Sequence, residues 1–162
     1  TESSEGDGEM SDRRGTKQTE LNYCEANEDW RERLRDELGD VAAQHMHLDD
    51  GFTLVAAVGE IPVALIAVVW RVLPEPLKGQ VEGFIDIIEV APLFRRHGVA
   101  TRLISMAADR ARAHGACQLR AWSSDDKVEA IPMWLALGFG LCPAVQHPRG
   151  QEVRGYFVAR TL

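Results

Sequence analysis

Arg95, Arg96, His97, Gly98, Val99, Ala100 and Thr101 follow an apolar stretch, Phe84 to Val90, and a proline-marked turn at Pro92. The same residues open a long run with helical periodicity. A strand–turn–helix junction of this kind gathers free backbone N–H groups, the positive end of a helix dipole and basic side chains in one place. Together these form an anion site suited to phosphate. Gly98 has no Cβ and lets the backbone approach a ligand closely. Arg95 and Arg96 can add charge-assisted hydrogen bonds. A capped surface helix with no ligand would use much the same residues, so the motif alone does not decide between the two.

Other reactive side chains carry weaker signals. His45 and His47 are two residues apart and do not share a helix face, so no metal site is expected there. His97 could assist a phosphate or simply occupy an exposed turn. His114 ends a helical run, where the dipole accounts for it. Asp49 and Asp50 precede Gly51 and read as a solvated turn more readily than as a lure for a cationic ligand. Cys117 and Cys142 read as small buried apolar residues.

The elements that would hold the anion site can be read along the chain. Residues 1–18 are rich in Ser, Gly, Glu and Asp and poor in apolar side chains, which predicts a disordered tail. Residues 19–162 then form one domain. A short strand contains Leu21 and Tyr23. Asn27 can cap a helix carrying Trp30, Leu34 and Leu38, and Gly39 stops it. A second helical piece runs from Val41 to His47. Phe52–Val58 and Ile61–Val72, split by Gly59-Glu60, predict a β-hairpin, and Phe84–Val90 the next strand. Gly98–His114 is a helix with Val99, Leu103, Met106, Ala107 and Ala111 on one face. Cys117–Trp122 is a strand. Asp125 or Asp126 can cap a helix to Leu137, provided Pro132 falls near its first turn. Leu141–Gln146 and Glu152–Thr161 close the chain as two strands. The strand–helix–strand unit from Phe84 to Trp122 demands a parallel pair inside a mostly antiparallel sheet.

Composition narrows the function classes. The 162 residues carry 45% apolar and 27% charged side chains, enough for one globular core and too few for two. The net charge of −7 speaks against a nucleic-acid partner. The longest apolar run, Ile61–Trp70, is too short for a membrane span, and no signal-peptide pattern opens the sequence. Three isolated cysteines fit no disulfide framework, which predicts a reducing, cytoplasmic setting.

Two motifs in sequence order resemble the GNAT superfamily of acyl-CoA-dependent N-acyltransferases. The Q/R-x-x-G-x-G/A loop is matched by Arg95, Gly98 and Ala100. The later A-x-x-L/F-Y-x-x-x-G-F helix is matched by Ala130, Met133, Gly138 and Phe139, with Trp134 where the family has tyrosine. The resemblance implies an α+β fold, a central mixed and mostly antiparallel sheet of about seven strands flanked by about four helices. It implies a V-shaped splay between the fourth and fifth strands. It also implies acetyl-CoA as co-substrate, with its pantetheine arm against backbone groups of Ile88 and Val90. The pyrophosphate would lie on Arg95, Arg96, His97, Gly98, Val99, Ala100 and Thr101. The Val90 N–H would polarise the thioester carbonyl. A small-molecule or peptide amine would attack directly after losing a proton to a base.

Relatives often place that base four residues before the final strand valine, which is Asp86 here; Glu89 is the second choice and Glu82 the third. Strand alternation predicts Phe84, Asp86, Ile88 and Val90 on one face. Trp134 cannot donate a proton as tyrosine does, but could pack on the cofactor or in the core. Lys127 stands near the family's cofactor-contacting asparagine and could bond a phosphate instead. Ser123, Ser124 and Tyr156 are substitute acids, and water can also serve. Many relatives form homodimers, although no interface pattern stands out in this sequence. The missing tyrosine keeps a second class open: an acyl-CoA-binding or sensing module without turnover. A tRNA-acetylating relative is disfavoured by the acidic charge.

Overall fold

The computed structural model describes residues 20–162; the segment read as a tail lies outside the described residues. The chain runs β1 (Asn22–Glu25), α1 (Trp30–Leu38), α2 (Asp40–Gln44), β2 (Gly51–Val58), β3 (Ile61–Val72) and β4 (Val81–Val90). A 3-10 turn (Pro92–Phe94) leads to α3 (Val99–His114), β5 (Gln118–Ser124), α4 (Ala130–Ala136), β6 (Gly140–Gln146), a second 3-10 turn (Pro148–Gly150) and β7 (Val153–Thr161). The seven strands form one sheet in the order β1-β2-β3-β4-β5-β7-β6. β4 and β5 are parallel, and the other neighbours are antiparallel. No helix among the described residues is long and apolar enough to cross a membrane.

Apolar periodicity decides what each face of the sheet buries. Val99, Leu103, Ile104, Ala107 and Ala111 of α3 pack on Ile66, Val68, Ile85 and Leu119. On the opposite face Leu34 of α1 and Ala42 of α2 pack on Val55, Ala57 and Leu65. β2 and β3 are therefore covered on both sides, which is why they read as unbroken Val/Ile/Ala runs instead of alternating.

Three local details depart from the sequence reading. α4 begins at Ala130, not beside Asp125 or Asp126. The earlier start would put Pro132 in the helix interior, where its missing N–H and its ring break the ladder; the later start keeps it in the first turn. α2 ends at Gln44, so His45 to Asp50 is an irregular connection able to bring His47 over the sheet. The third departure is a β-bulge. Val68 pairs with Ile85 and Ala67 with Ile87, leaving Asp86 with no cross-strand partner. One extra residue reverses the facing of everything beyond it. Ile88 and Val90 join Ile85 against the α3 core, while Ile87 packs towards α1 and α2. The expected common face for Asp86, Ile88 and Val90 is thus corrected.

The parallel β4–β5 pairing covers only Glu82 to Ile85 against Gln118 to Ala121. Beyond Ile85 the strands part, and β4 continues to Val90 with an open edge. At the apex of this V the fully buried Glu82 accepts from Arg120 Nη2 at 2.6 Å, Arg120 Nε at 2.9 Å and Gln118 Nε2 at 2.7 Å. These donors replace the hydrogen bonds to water that the carboxylate loses on burial.

Candidate active site

The turn before α3 leaves a run of backbone N–H groups without backbone partners among the described residues. Gly98 holds φ 78° and Arg96 φ 62°, both left-handed. This double reversal turns the chain sharply into α3. Among the described residues, no backbone N–H from Arg96 to Thr101 donates to a backbone carbonyl; the ladder begins with Arg102 donating to Gly98 at 2.9 Å. Six consecutive N–H groups at a helix start are a cradle for a multiply charged anion. A cleft of about 380 Å³ lies over them, lined by Arg95, Arg96, Gly98, Val99, Ala100 and Thr101 together with Val90, Phe94, Glu129 and Met133. The exposed His97 stands in the turn beside it.

A second cleft of about 510 Å³ continues from the first. It shares Val90, Arg95, Ala100 and Met133 and adds Val41, Ile87, Ile88, Glu89 and Lys127. The two make one trough from the cradle to the open edge of β4. Ala91 donates to the Val63 carbonyl at 2.8 Å, towards β3. Successive N–H groups of a strand point to opposite sides, so those of Val90 and Ile88 point away from β3 into the gap. Arg95 Nε donates to the Val90 carbonyl at 2.9 Å from the same side. The trough thus offers phosphate donors at one end and strand donors along its length, the pattern a phosphorylated, amide-containing arm requires.

Asp86 faces a different cleft. His47 Nε2 lies 2.9 Å from Asp86 Oδ2, and His47 Nδ1 lies 3.0 Å from both carboxylate oxygens of Asp50. The imidazole therefore bridges two carboxylates. Neutral, it donates to one of them at a time; protonated, it donates to both. Side-chain exposure rises from 16% at His47 to 64% at Asp50, so the chain runs from the cleft out to water. The His47 N–H also donates to Thr53 Oγ1 at 3.0 Å, and the Thr53 hydroxyl returns a bond to the His47 carbonyl, which fixes the loop. Sequence reasoning weighed His47 only as half of a metal pair with His45. Its partner is 39 residues away and no local spacing announces it.

Around Asp86 the sheet face opens into a cleft of about 500 Å³ lined by Arg71, Phe84, Ile85, Arg120, Trp122, Gln146 and Phe157. Arg71 and Trp122 were also not foreseen as lining residues. Glu82, the third carboxylate considered, is fully occupied by Arg120 and Gln118. Glu89 lies in the trough, apart from Asp86.

The helix after the gap shows what replaces the tyrosine. Trp134 is 3% exposed and meets Phe139 edge-on at 4.9 Å. Its indole N–H is buried with no hydrogen-bond partner among the described residues. It is a core residue that lines neither part of the trough. Lys127 does line it, and its carbonyl accepts from the Tyr156 hydroxyl at 3.4 Å. Ser123 is buried on β5.

A seven-stranded mixed sheet parted at one parallel pair, with free helix-start N–H groups beside the gap, marks the chain as an acyltransferase. The model of the acetyltransferase (GNAT) family matches residues 19–139, and the chain belongs to that family. The comparison with curated proteins finds no match. Solved structures share the fold. A GNAT-family acetyltransferase from Streptococcus pneumoniae is 14% identical with a TM-score of 0.68, covering 88% of this chain and 100% of that one. NAA60 from Arabidopsis thaliana, in complex with a bisubstrate analogue, is 12% identical with a TM-score of 0.69, covering 88% and 98%. An aminoglycoside 6'-N-acetyltransferase complexed with coenzyme A is 17% identical with a TM-score of 0.66, covering 86% and 96%.

Proposed function

We propose that this acetyltransferase moves an acetyl group from acetyl-CoA to a primary amine by direct attack. The carrying observation is that two clefts meet the same strand, β4, from different sides. Free N–H groups at 96–101 open into a trough along Val90 and Ile88, and Asp86 with His47 stands across the same strand. Acetyl-CoA supplies the reactive thioester. Backbone N–H groups of the α3 start, with Arg95, Arg96 and His97, hold the pyrophosphate; Lys127 adds charge at the trough wall. The Ile88 backbone and Met133 hold the arm, and Val90 N–H donates to the thioester carbonyl as negative charge develops there.

Asp86 takes a proton from the incoming ammonium, and His47 passes it towards the exposed Asp50. The freed nitrogen lone pair forms the N–C bond as the C–S bond breaks. The departing sulfur leaves as thiolate and takes its proton from water, since thiolate is a tolerable leaving group near neutral pH and Trp134 has no proton to give. Glu89, on the trough wall, is the second candidate for the base. The acceptor is a small molecule or peptide amine, and no metal takes part in these steps. Three free cysteines support a reducing compartment such as the cytoplasm.

Thiol release with purified protein, acetyl-CoA and an amine panel tests this. Asp86→Asn should lower kcat by about 10²–10⁴-fold, the range of a general base, while acetyl-CoA affinity stays within about twofold. Full activity in Asp86→Asn would remove the role assigned to it. Tight acetyl-CoA binding with no release to any amine would mark a sensing module instead.

A further inference from the structure

We propose that the acceptor is an amino-acid-type amine carrying a free carboxylate, read by Arg71 over an aromatic floor of Phe84, Trp122 and Phe157. The inference rests on the N-acetyl-transfer reading and names the substrate class of that same site.

Charge is unbalanced in the Asp86 cleft. Of its two arginines, Arg120 is consumed by Glu82. Asp86 is engaged by His47. Among the described residues Arg71 makes no ion pair, although it lies directly across from Glu82 in the β3–β4 register. Its guanidinium instead lies 3.6 Å from the Phe84 ring centroid. Stacking occupies the face of the guanidinium and leaves its N–H edge free, the geometry that receives a carboxylate through two parallel bonds. Arg71 is exposed at the cleft wall, so a small ligand can reach that edge.

The spacing suits one small molecule. Phe84, beneath Arg71, and Asp86 are two residues apart on β4, at most about 6–7 Å along a strand that the bulge shortens. An α-amino acid, or one slightly longer, can set its amine at Asp86 and its carboxylate at Arg71 with a hydrogen bond at each end. Between those points Trp122 and Phe157 meet edge-on at 5.3 Å and offer apolar surface to a side chain. The overall charge of −7 gives no hint of this, because the uncompensated arginine is local to the cleft.

The test compares leucine and phenylalanine with their carboxamides and with isoamylamine and phenethylamine in the thiol-release assay. The free acids should exceed the amides and the decarboxylated amines by about 10- to 100-fold in kcat/KM, the worth of one charged hydrogen-bonded contact. Arg71→Gln should erase that preference chiefly through KM for the acid. It should leave the amides and the acetyl-CoA KM within about twofold, and Arg71→Lys should restore part of the preference. Equal or faster turnover of the decarboxylated amines by the parent enzyme overturns the inference while leaving N-acetyl transfer intact. Equal slowing of all amines by Arg71→Gln overturns it too, as that is the signature of a structural role. No release from any amine, acids included, overturns the transfer reading and this one with it.

Discussion

Arg120→Met strands a carboxylate. Glu82 is 0% exposed and has three close donors, Arg120 Nε, Arg120 Nη2 and Gln118 Nε2. The substitution leaves it one amide. Breaking a buried pair from one side costs about 3–5 kcal/mol, because the remaining charge has no compensation. The opposite change is milder. Glu82→Gln keeps the size and leaves Arg120, whose side chain is 28% exposed, free to reach water. About 1–2 kcal/mol is the scale of that lost hydrogen bonding. At about 2–4 °C per kcal/mol for a domain of this size, Arg120→Met should melt about 6–20 °C below the parent and Glu82→Gln about 2–8 °C below. Melting followed by circular dichroism, supported by urea titration, measures both. The double variant carries no stranded charge and should melt above Arg120→Met alone. Glu82→Gln melting at or below Arg120→Met would refute the reasoning, as would a double variant whose loss equals the sum of the single losses. Either result would mean that the apex of the V is not held by this pair.

The orphaned indole gives a second expectation. Trp134→Phe removes a buried donor with no partner among the described residues and should fall within about 1 kcal/mol of the parent, whereas Trp134→Ala should cost about 3–5 kcal/mol through the cavity; comparable losses in urea titration would show that the N–H does have a partner. Thiol labelling gives a third. Burial pushes the Cys24 thiol above its ordinary value, so its thiolate fraction at pH 8 is reduced, whereas Cys142 is exposed. Iodoacetamide followed by peptide mass spectrometry should find Cys142 modified first, with the lag at Cys24 narrowing as pH rises; equal rates at pH 8 would contradict that.

Much of the scaffold is legible because it depends on neighbours in sequence. The i, i+4, i+8 apolar positions from Val99 to Ala111 specify α3 and its buried face. Gly98 specifies the left-handed entry, and the run of 96–101 specifies the cradle, since free N–H groups are a property of any helix start. The apolar runs at 52–58 and 61–72 specify a doubly covered hairpin. Pro132 constrained α4, but choosing between Asp126 and Ala130 as its start required weighing a proline penalty against a capping gain.

The chemistry around Asp86 depended on tertiary structure. A bulge shifts facing by one residue, and whether a strand bulges is decided by pairing with another strand, not by its own alternation. His47 reaches Asp86 only because α2 stops at Gln44 and the loop crosses the sheet. Among the described residues Arg71 has no ion pair, because Glu82, its cross-strand neighbour, is taken by Arg120 from β5. Charge compensation is a property of three-dimensional neighbourhoods, and a count of acidic and basic residues along the chain does not contain it. The sequence by itself determined a helix start with free N–H groups and the sheet that carries it. Only the folded chain decided which carboxylates are spent on structure and which face the cleft, because those assignments rest on contacts between residues tens of positions apart.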